Sequence, residues 1–211
     1  MTQEEMGLLV NKYFDKEGYV FPTGFEHRFE QVSSAMLYSM IREYKPKTVL
    51  EVGSSHGGSG CIIMSALLKN DQPFEFYSSE IADDLRKEAE GNIKEKCGKA
   101  PIMLGDITKE LDKIPKLDFL FVDNDHDLAT TEWVVKNLFP LVKKGGIYAM
   151  HDWAVAEEDG KFVGKNHEGA GGWPETQYLM DMHTNGTFPF KRLFWTWRVT
   201  GQEEIGFWIN I

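Results

Sequence analysis

Acidic residues follow five short apolar stretches that have the composition of β-strands. These acids are Glu51, Glu80, Asp106, Asp123 and Asp152. In an open sheet of parallel strands, ligands bind just outside the carboxyl ends of the strands, where such acids would lie together. Carboxylates at this place can bind hydroxyl groups, an ammonium group or a divalent cation. Some of them could instead cap the following helices, because Asp is a preferred N-cap residue, and for Asp106 the two interpretations are equally well supported.

The stretch 48–60 has the composition of a strand, a tight turn and the start of a helix. A β-branched apolar strand leads to Glu51 and Gly53, and a glycine cluster with Ser59 leads into an apolar helix. Glycines let the backbone approach a ligand closely, and free N–H groups at the helix start face an anion. The spacing is not the dinucleotide fingerprint G-x-G-x-x-G, because three residues other than glycine separate Gly53 from Gly57. An ordinary β–α turn that binds no ligand remains the alternative.

Written as Glu-x-Gly-x-x-x-Gly-Gly-Ser, this turn resembles motif I of the class I S-adenosylmethionine (SAM) methyltransferases. The resemblance implies SAM as the cofactor. SAM has no pyrophosphate and its methionine end is a zwitterion, so Glu51 could help to bind the ammonium group while turn amides and Ser59 meet the carboxylate. The predicted contacts to the methionine portion are Glu51, Gly53, Ser54, His56, Gly58 and Ser59.

The same resemblance implies roles for residues after the second, third and fourth strands. Glu80 matches the acid that binds the ribose hydroxyls of SAM, and its two acceptor oxygens suit a cis-diol. Asp106 and Ile107 match residues beside the adenine. Together with Asp123, these positions complete the predicted cofactor-binding set.

The residues at the ends of strands four and five resemble those of a narrower group within this family. They read Phe-Val-Asp-Asn-Asp-His-Asp and Gly-Gly-Ile-Tyr-Ala-Met-His-Asp-Trp, which resembles the cephalosporin-hydroxylase-like group and the metal-dependent macrolide-sugar O-methyltransferases. The resemblance implies a divalent cation, Mg²⁺ or Mn²⁺, held by Asp123 and the pair His151–Asp152, with His126 as base. His151 departs from those relatives, which carry an acid there, and an imidazole shifts the preference toward softer ions. Asp125 is the candidate that could replace the missing acid as a ligand.

A hydroxyl acceptor would require groups of this kind. The sulfonium of SAM already carries a good leaving group, so the enzyme must align an in-line attack and supply a deprotonated nucleophile. A metal lowers the pKa of a bound hydroxyl, and a His with an ordinary pKa of about 6.5 can take the proton. We therefore predict His126 and Asp123 as catalytic residues, and a small hydroxylated acceptor such as a sugar or natural-product intermediate. Without the resemblance, His126 would be interpreted as an ordinary loop hydrogen-bonder.

Two other functions fit parts of the sequence. A non-catalytic SAM-binding module is favoured if the His151 departure marks a decayed site. A nicotinamide-dependent oxidoreductase is disfavoured because the G-x-G-x-x-G fingerprint is missing.

Strand and helix signals alternate from residue 48 onward, and the elements that they predict must position these residues. Beyond the first strand, predicted strands occupy 74–78, 101–104, 117–122, 146–150, 190–199 and 204–211, with helices at 81–97, 108–113, 128–138 and 175–183. They predict a Rossmann-like, doubly wound α/β fold with a seven-stranded sheet. Five strands are parallel, a C-terminal antiparallel hairpin completes the sheet, and helices cover both faces. Residues 154–174 are expected to form a long loop at the active edge.

Two further helices, at 2–17 and 25–44, precede the sheet. Each begins with Thr and Glu at capping-box spacing. We therefore expect an N-terminal segment, 1–45, that covers a sheet face or forms a lid, and a SAM-binding domain, 46–211.

Composition restricts the partners. The net charge of −10 argues against nucleic acid, whose binding normally needs a basic face. No apolar run reaches membrane-spanning length and the N-terminus does not resemble a signal peptide, so we expect no membrane partner. Two isolated cysteines, Cys61 and Cys97, fit a reducing compartment and predict a soluble cytoplasmic protein. A homo-oligomer is compatible with the sequence, which does not fix the oligomeric state.

Overall fold

The computed structural model describes residues 1–19, 31–125, 127–153, 155–158, 161–164, 174–195 and 205–211. Its α-helices are α1 (Gln3–Val10), α2 (Gln31–Tyr44), α3 (Gly58–Lys69), α4 (Asp83–Cys97), α5 (Leu128–Asn137) and α6 (Pro174–Thr184). Its strands are β1 (Thr48–Val52), β2 (Glu75–Ser79), β3 (Ile102–Leu104), β4 (Leu117–Val122), β5 (Val142–His151), β6 (Val155–Glu158), β7 (Lys161–Gly164), β8 (Phe190–Trp195) and β9 (Ile205–Asn210). None of the helices in these ranges has the length and apolar character needed to cross a membrane.

A seven-stranded sheet with the strand order β3-β2-β1-β4-β5-β9-β8 forms the centre of the fold. Strands β1 to β5 pair in parallel, whereas β9 runs antiparallel to both β5 and β8. The order reverses at β1, which pairs with β2 on one side and with β4 on the other. Such a switch point opens a crevice at the carboxyl ends of the strands. The predicted fold class is confirmed.

Successive residues of the central strands face two different hydrophobic cores. In β1, Val49 belongs to the core that includes side chains of α1, α2 and α3, whereas Leu50 belongs to the core that includes α5 and α6. In β4, Phe119 and Leu120 divide in the same way. Because neighbouring side chains on a strand point to opposite faces, a sheet covered on both faces requires continuously apolar strands.

Helices α1 and α2 lie on the face of the sheet that α3 also covers. Met6 of α1 and Leu37 of α2 are buried in the same core as α3, and α2 packs directly against α3. The predicted capping box begins α1, because the side chains of Thr2 and Glu5 each bond the other's backbone N–H. The chain then continues as one π-helical turn, Asn11–Asp15.

The predicted helix 25–44 is helical from residue 31, and residues 20–30 lie outside the described part of the chain. The division into an N-terminal segment, 1–45, and a SAM-binding domain, 46–211, stays a prediction.

Two other predicted elements differ in the structure. The helix predicted at 108–113 is only a 3₁₀ turn, Leu111–Lys113. Ile114 is extended there, as expected for a residue that precedes proline. Strand β5 begins at Val142, four residues before the predicted start, and pairs with β4 from that residue.

The prediction of a long loop at 154–174 is wrong in part. Strands β6 and β7 form an antiparallel pair within it, with Val155 opposite Gly164 and Glu158 opposite Lys161. The sequence between them is Asp-Gly, which is a strong hairpin-turn dipeptide. That signal was present in the sequence and predicts the pairing.

Candidate active site

A cavity of about 590 Å³ lies at the carboxyl ends of β1 to β5. Its size is within the range of small-molecule and cofactor sites. The acids that line it are Glu80, Asp106, Asp123, Asp125 and Asp152. Four of the five strand-end acids predicted from the sequence therefore meet in one cavity, and Glu51 does not line it.

The glycine turn after β1 passes very close to the end of β4. Gly53 has a φ of 90°, and a Cβ atom there would lie 1.9 Å from the backbone oxygen of Asp123. The N–H groups of Gly53 and Ser54 both donate to the backbone oxygen of Ser79, at 3.0 Å. Gly57, also at a φ of 90°, is the N-cap residue of α3. This conformation needs glycine, because side chains with a Cβ rarely adopt a positive φ.

Glu51 is fully buried behind this turn. Its Oε1 accepts a hydrogen bond from Ser59 Oγ at 2.5 Å, and its Oε2 accepts one from Ser78 Oγ at 2.6 Å. Burial raises the pKa of Glu51 to about 7, an effect that the two serine hydroxyls reduce and the charges of Asp123 and Glu80 increase. The carboxyl group therefore joins α3 to β2. Its predicted contact with the ammonium group of SAM stays a prediction.

Other predicted methionine contacts also lie away from the cavity lining. His56 faces α4: its Nδ1 lies 3.0 Å from Glu88 Oε1, and its backbone oxygen accepts from Asn92. Among the six predicted contacts, Gly53 lines the cavity. The others, which do not, are Glu51, Ser54, His56, Gly58 and Ser59. Their cofactor roles stay predictions.

Glu80 is held in place by backbone donors. Its Oε2 accepts from the N–H of Ser55 at 2.9 Å, and its Oε1 accepts from the N–H of Ala82 at 3.0 Å. Each carboxylate oxygen has a second lone pair, so both can still accept from a diol. The cavity lining beside Glu80 includes Ile81, which is 70% exposed, and Leu85. Neither apolar residue was predicted from the sequence, although an Ile directly after a strand-end acid is a usable signal.

Asp106 lines the cavity and also caps the turn after β3. Its Oδ1 accepts from the backbone N–H and the hydroxyl of Thr108, and its Oδ2 lies 2.7 Å from Lys109 Nζ. The hydrogen bonds from Lys109 and Thr108 lower the pKa of Asp106 to about 2. Both interpretations of this residue, cavity acid and cap, thus have structural support. Ile107 is buried and lines the cavity beside it.

Two carboxylates and an imidazole converge at the ends of β4 and β5. His151 Nδ1 lies 3.4 Å from Asp123 Oδ1 and 3.4 Å from Asp152 Oδ2. One ligand atom from each residue lies within 4.8 Å of the others, a spacing that suits a single cation. His151 is 2% exposed, and Asp152 adopts a φ of 51° directly after β5. The donor set fits a divalent metal, with the imidazole as its softest ligand.

The loop after β4 adds further polar groups to the cavity. Asp125 is exposed and lines it, whereas His126, the predicted base, lies outside the described residues. Asn124 also lines the cavity, and its side-chain oxygen and nitrogen are buried with no hydrogen-bond partner among the described residues. Asn124 was not predicted from the sequence, although it lies between the two candidate acids Asp123 and Asp125. A buried amide without partners is suited to bind a ligand.

Residues 50–153 match the family model of a methyltransferase domain. The chain is also 26% identical, over 117 residues, to a rhamnosyl O-methyltransferase of Mycobacterium leprae (strain TN). That match covers 54% of this chain and 51% of the relative, so the chain spans about half the length of the curated relative that it matches.

Solved structures share the fold at low sequence identity. The O-methyltransferase from Bacillus cereus, in complex with S-adenosylhomocysteine (SAH), has a TM-score of 0.66 at 12% identity, covering 99% of this chain and 92% of its own. TomG of Streptomyces achromogenes, an O-methyltransferase involved in tomaymycin synthesis and in complex with SAM, has a TM-score of 0.64 at 12% identity, covering 100% and 91%. The family model, the relative and the solved structures together support a class I SAM-dependent methyltransferase.

The segment that matches the methyltransferase domain, residues 50–153, contains the glycine turn and all five strand-end acids. The family predicted from motif I is therefore confirmed. The narrower resemblance to the cephalosporin-hydroxylase-like and macrolide-sugar groups stays a prediction, as do the residue roles that it implies.

Proposed function

We propose that this methyltransferase transfers the methyl group of SAM to a hydroxyl group of a small molecule, such as a sugar or a natural-product intermediate. The observation that carries the proposal is the single cavity that holds both Glu80 and the cluster of Asp123, His151 and Asp152. The matched relative is a rhamnosyl O-methyltransferase, and two structural neighbours are O-methyltransferases with SAM or SAH. These names support oxygen as the methylated atom.

In the proposed complex, Glu80 accepts hydrogen bonds from the ribose hydroxyls. Its orientation is already fixed by the N–H groups of Ser55 and Ala82, so little rotational freedom is lost on binding. Ile81 and Ile107 provide apolar surface for the adenine, and the turn at Gly53 lets the backbone approach the methionine portion.

At the ends of β4 and β5, Asp123, His151 and Asp152 would hold a divalent cation such as Mg²⁺ or Mn²⁺. When bound, such a cation lowers the pKa of a hydroxyl on it. The residues orient the acceptor oxygen toward the methyl donor, and His126 is proposed to take its proton. If no cation binds, Asp123 and Asp152 position the hydroxyl directly.

Calorimetric titration of the purified chain with SAM, SAH and NAD tests the cofactor. We expect heat with SAM and SAH and none with NAD. An NAD signal without a SAM signal would instead support a nicotinamide-dependent oxidoreductase.

Transfer is then assayed with radiolabelled SAM and a panel of sugars, polyols and phenols, with EDTA, Mg²⁺ or Mn²⁺ added. We expect label in at least one acceptor, with the rate highest when a divalent cation is present. Binding of SAM with no transfer to any hydroxyl compound would favour the non-catalytic SAM-binding module. The cytoplasmic location and the homo-oligomer stay predictions.

A further inference from the structure

The two cysteines of the chain lie on facing ridges of α3 and α4. Cys61 is in the first turn of α3 and is fully buried, and Cys97 is the last residue of α4 and is half-buried. The sequence contains no other cysteine. Neither residue lines the cavity, so the proposed function uses neither thiol.

Close packing of the two helices brings these residues together. The ridge on the α3 side is Gly57, Cys61 and Ser65, and the ridge on α4 is Ala89, Ile93 and Cys97, each at four-residue steps. A Cβ atom on Gly57 would lie 3.1 Å from Ala89 Cα, and one on Gly60 would lie 2.5 Å from Ile93 Cδ1. The absence of side chains at these glycines therefore lets the helices approach.

The thiol of Cys97 lies between two groups of α3. Its Sγ is 3.6 Å from the backbone oxygen of Cys61 and 3.5 Å from Ser65 Oγ. Since Cys61 and Ser65 are one helical turn apart, Cys97 lies over the turn that carries the Cys61 side chain.

The two thiols differ in reactivity. The hydrogen bonds from Cys61 and Ser65, together with the nearby Lys96, lower the pKa of Cys97. The hydrogen bond to Cys97 and burial raise the pKa of Cys61. The half-buried thiol with the lowered pKa is the one that reacts first with a small oxidant, because the thiolate is the nucleophile.

We propose that Cys61 and Cys97 form a reversible disulfide within one chain when the protein meets a peroxide. The Cys97 thiolate attacks one oxygen of hydrogen peroxide, the O–O bond breaks, and hydroxide leaves, giving a sulfenic acid at Cys97. The Cys61 sulfur then attacks the Cys97 sulfur, so an S–S bond forms and the S–O bond breaks. The departing hydroxide takes the Cys61 proton, and two thiols and one peroxide give one disulfide and two waters in total.

The bond would join the first turn of α3 to the end of α4, directly behind the glycine turn. It would also close a loop from residue 61 to residue 97 and so reduce the conformational freedom of the unfolded chain. The oxidised form is therefore the more stable one, independently of which reaction the cavity performs.

The test treats the full chain with hydrogen peroxide, alkylates the remaining thiols, and maps peptides by mass spectrometry without reduction. We expect a cross-linked peptide pair that contains Cys61 and Cys97, complete loss of titratable thiol, and full recovery with dithiothreitol. Cys97→Ser should leave Cys61 reduced under the same conditions. Ser65→Ala keeps both cysteines but removes a hydrogen bond to Cys97, so cross-linking should slow several-fold.

Thermal melting provides a second measurement that does not depend on peptide mapping. Oxidation of the wild-type chain should raise Tm by roughly 5–15 °C, and should leave the Tm of Cys97→Ser unchanged. Sulfinic acid at Cys97 with Cys61 still alkylated, or a disulfide between two chains, would overturn the proposal. A lower Tm after oxidation would do the same, because it would mean that the bond traps an opened structure.

Discussion

The two halves of the cavity hold their acids in different ways. In the half proposed for the cofactor, at the ends of β1 to β3, the protein's own donors bind each carboxylate: backbone N–H groups for Glu80, Thr108 with Lys109 for Asp106, and serine hydroxyls for Glu51 behind the cavity lining. In the reaction half, at the ends of β4 and β5, Asp123 and Asp152 instead approach the imidazole of His151, 3.4 Å from each. The first arrangement fixes the orientation of each carboxylate, and the second brings two negative charges together.

This difference has a physical consequence. A carboxylate bound by fixed donors has a set orientation, and its replacement should change how tightly a ligand binds. Two carboxylates that share one buried imidazole create a negative potential, which favours a bound cation. Replacements in the reaction half should therefore change turnover, and replacements in the cofactor half should change affinity or stability.

The largest expected effect is in the reaction half. Asp152→Asn should lower kcat by about 10²–10³-fold, because it removes one charge from the cluster. Asn tolerates the φ of 51° at this position, so the change isolates the charge. The Kd for SAH, measured by calorimetry, should stay within about threefold of wild type.

Asp112→Asn is the matched control for that variant, because Asp112 is exposed and does not line the cavity. Its kcat should equal that of the wild type. If Asp152→Asn weakens SAH binding and leaves kcat unchanged, the proposed separation between the two halves is wrong.

Gly53→Ala should be the next largest effect, on stability. The new Cβ would lie 1.9 Å from the Asp123 backbone oxygen at a positive φ, so the turn after β1 must shift. We expect a loss of about 3 kcal/mol in the free energy of unfolding, measured with a chemical denaturant. Gly91→Ala on α4, where an added Cβ meets nothing within 4 Å, should stabilise by about 0.5–1 kcal/mol. Equal stability of the two variants would contradict the close contact between the turn after β1 and the end of β4.

Glu80→Gln should weaken SAM binding by about 10–100-fold, because a charged acceptor of the proposed diol bonds becomes a neutral one. The amide also presents N–H groups to one of the two backbone donors now held by Glu80. At saturating SAM, kcat should change little. Glu75→Gln, at the exposed start of β2, is the control and should bind SAM normally. A Kd for Glu80→Gln equal to that of wild type would remove Glu80 from the cofactor site.

The sequence predicted that most of these acids lie at one edge of the sheet, because each of them comes at the end of a predicted strand. The direction in which each side chain points was harder to predict. Glu51 lies two residues after Val49 and so faces α3, whereas Glu80 lies beyond the last residue of β2 and is free of that alternation. The alternation predicts the α3 face for Glu51, although the prediction made for Glu51 used the motif and not this alternation.

Other contacts in the structure could not be predicted from the periodicity of the sequence. Ser55, which donates to Glu80, adopts a φ of 46°, and its contact depends on the path of the whole turn. The facing ridges of Cys61 and Cys97 depend on how closely two helices approach, which a spacing of 36 residues does not reveal. Local periodicity determines the face of a strand or helix on which a side chain lies. The residue that it contacts depends on how the elements pack.

The smallest expected effect tests the buried acid of the cofactor half through pH. The folded-state pKa of Glu51 is raised from 4.5 to about 7, so the folded chain binds the proton more tightly than the unfolded one. Its contribution to stability is therefore full below about pH 4.5 and is lost as the pH rises through about 7. Glu51→Gln should be more stable than wild type by about 1 kcal/mol at pH 8, and this advantage should shrink toward pH 5. Denaturant unfolding at several pH values measures the difference. An advantage that does not change with pH would mean that Glu51 is ionised throughout, as expected if it pairs with a cation instead of the hydroxyls of Ser59 and Ser78.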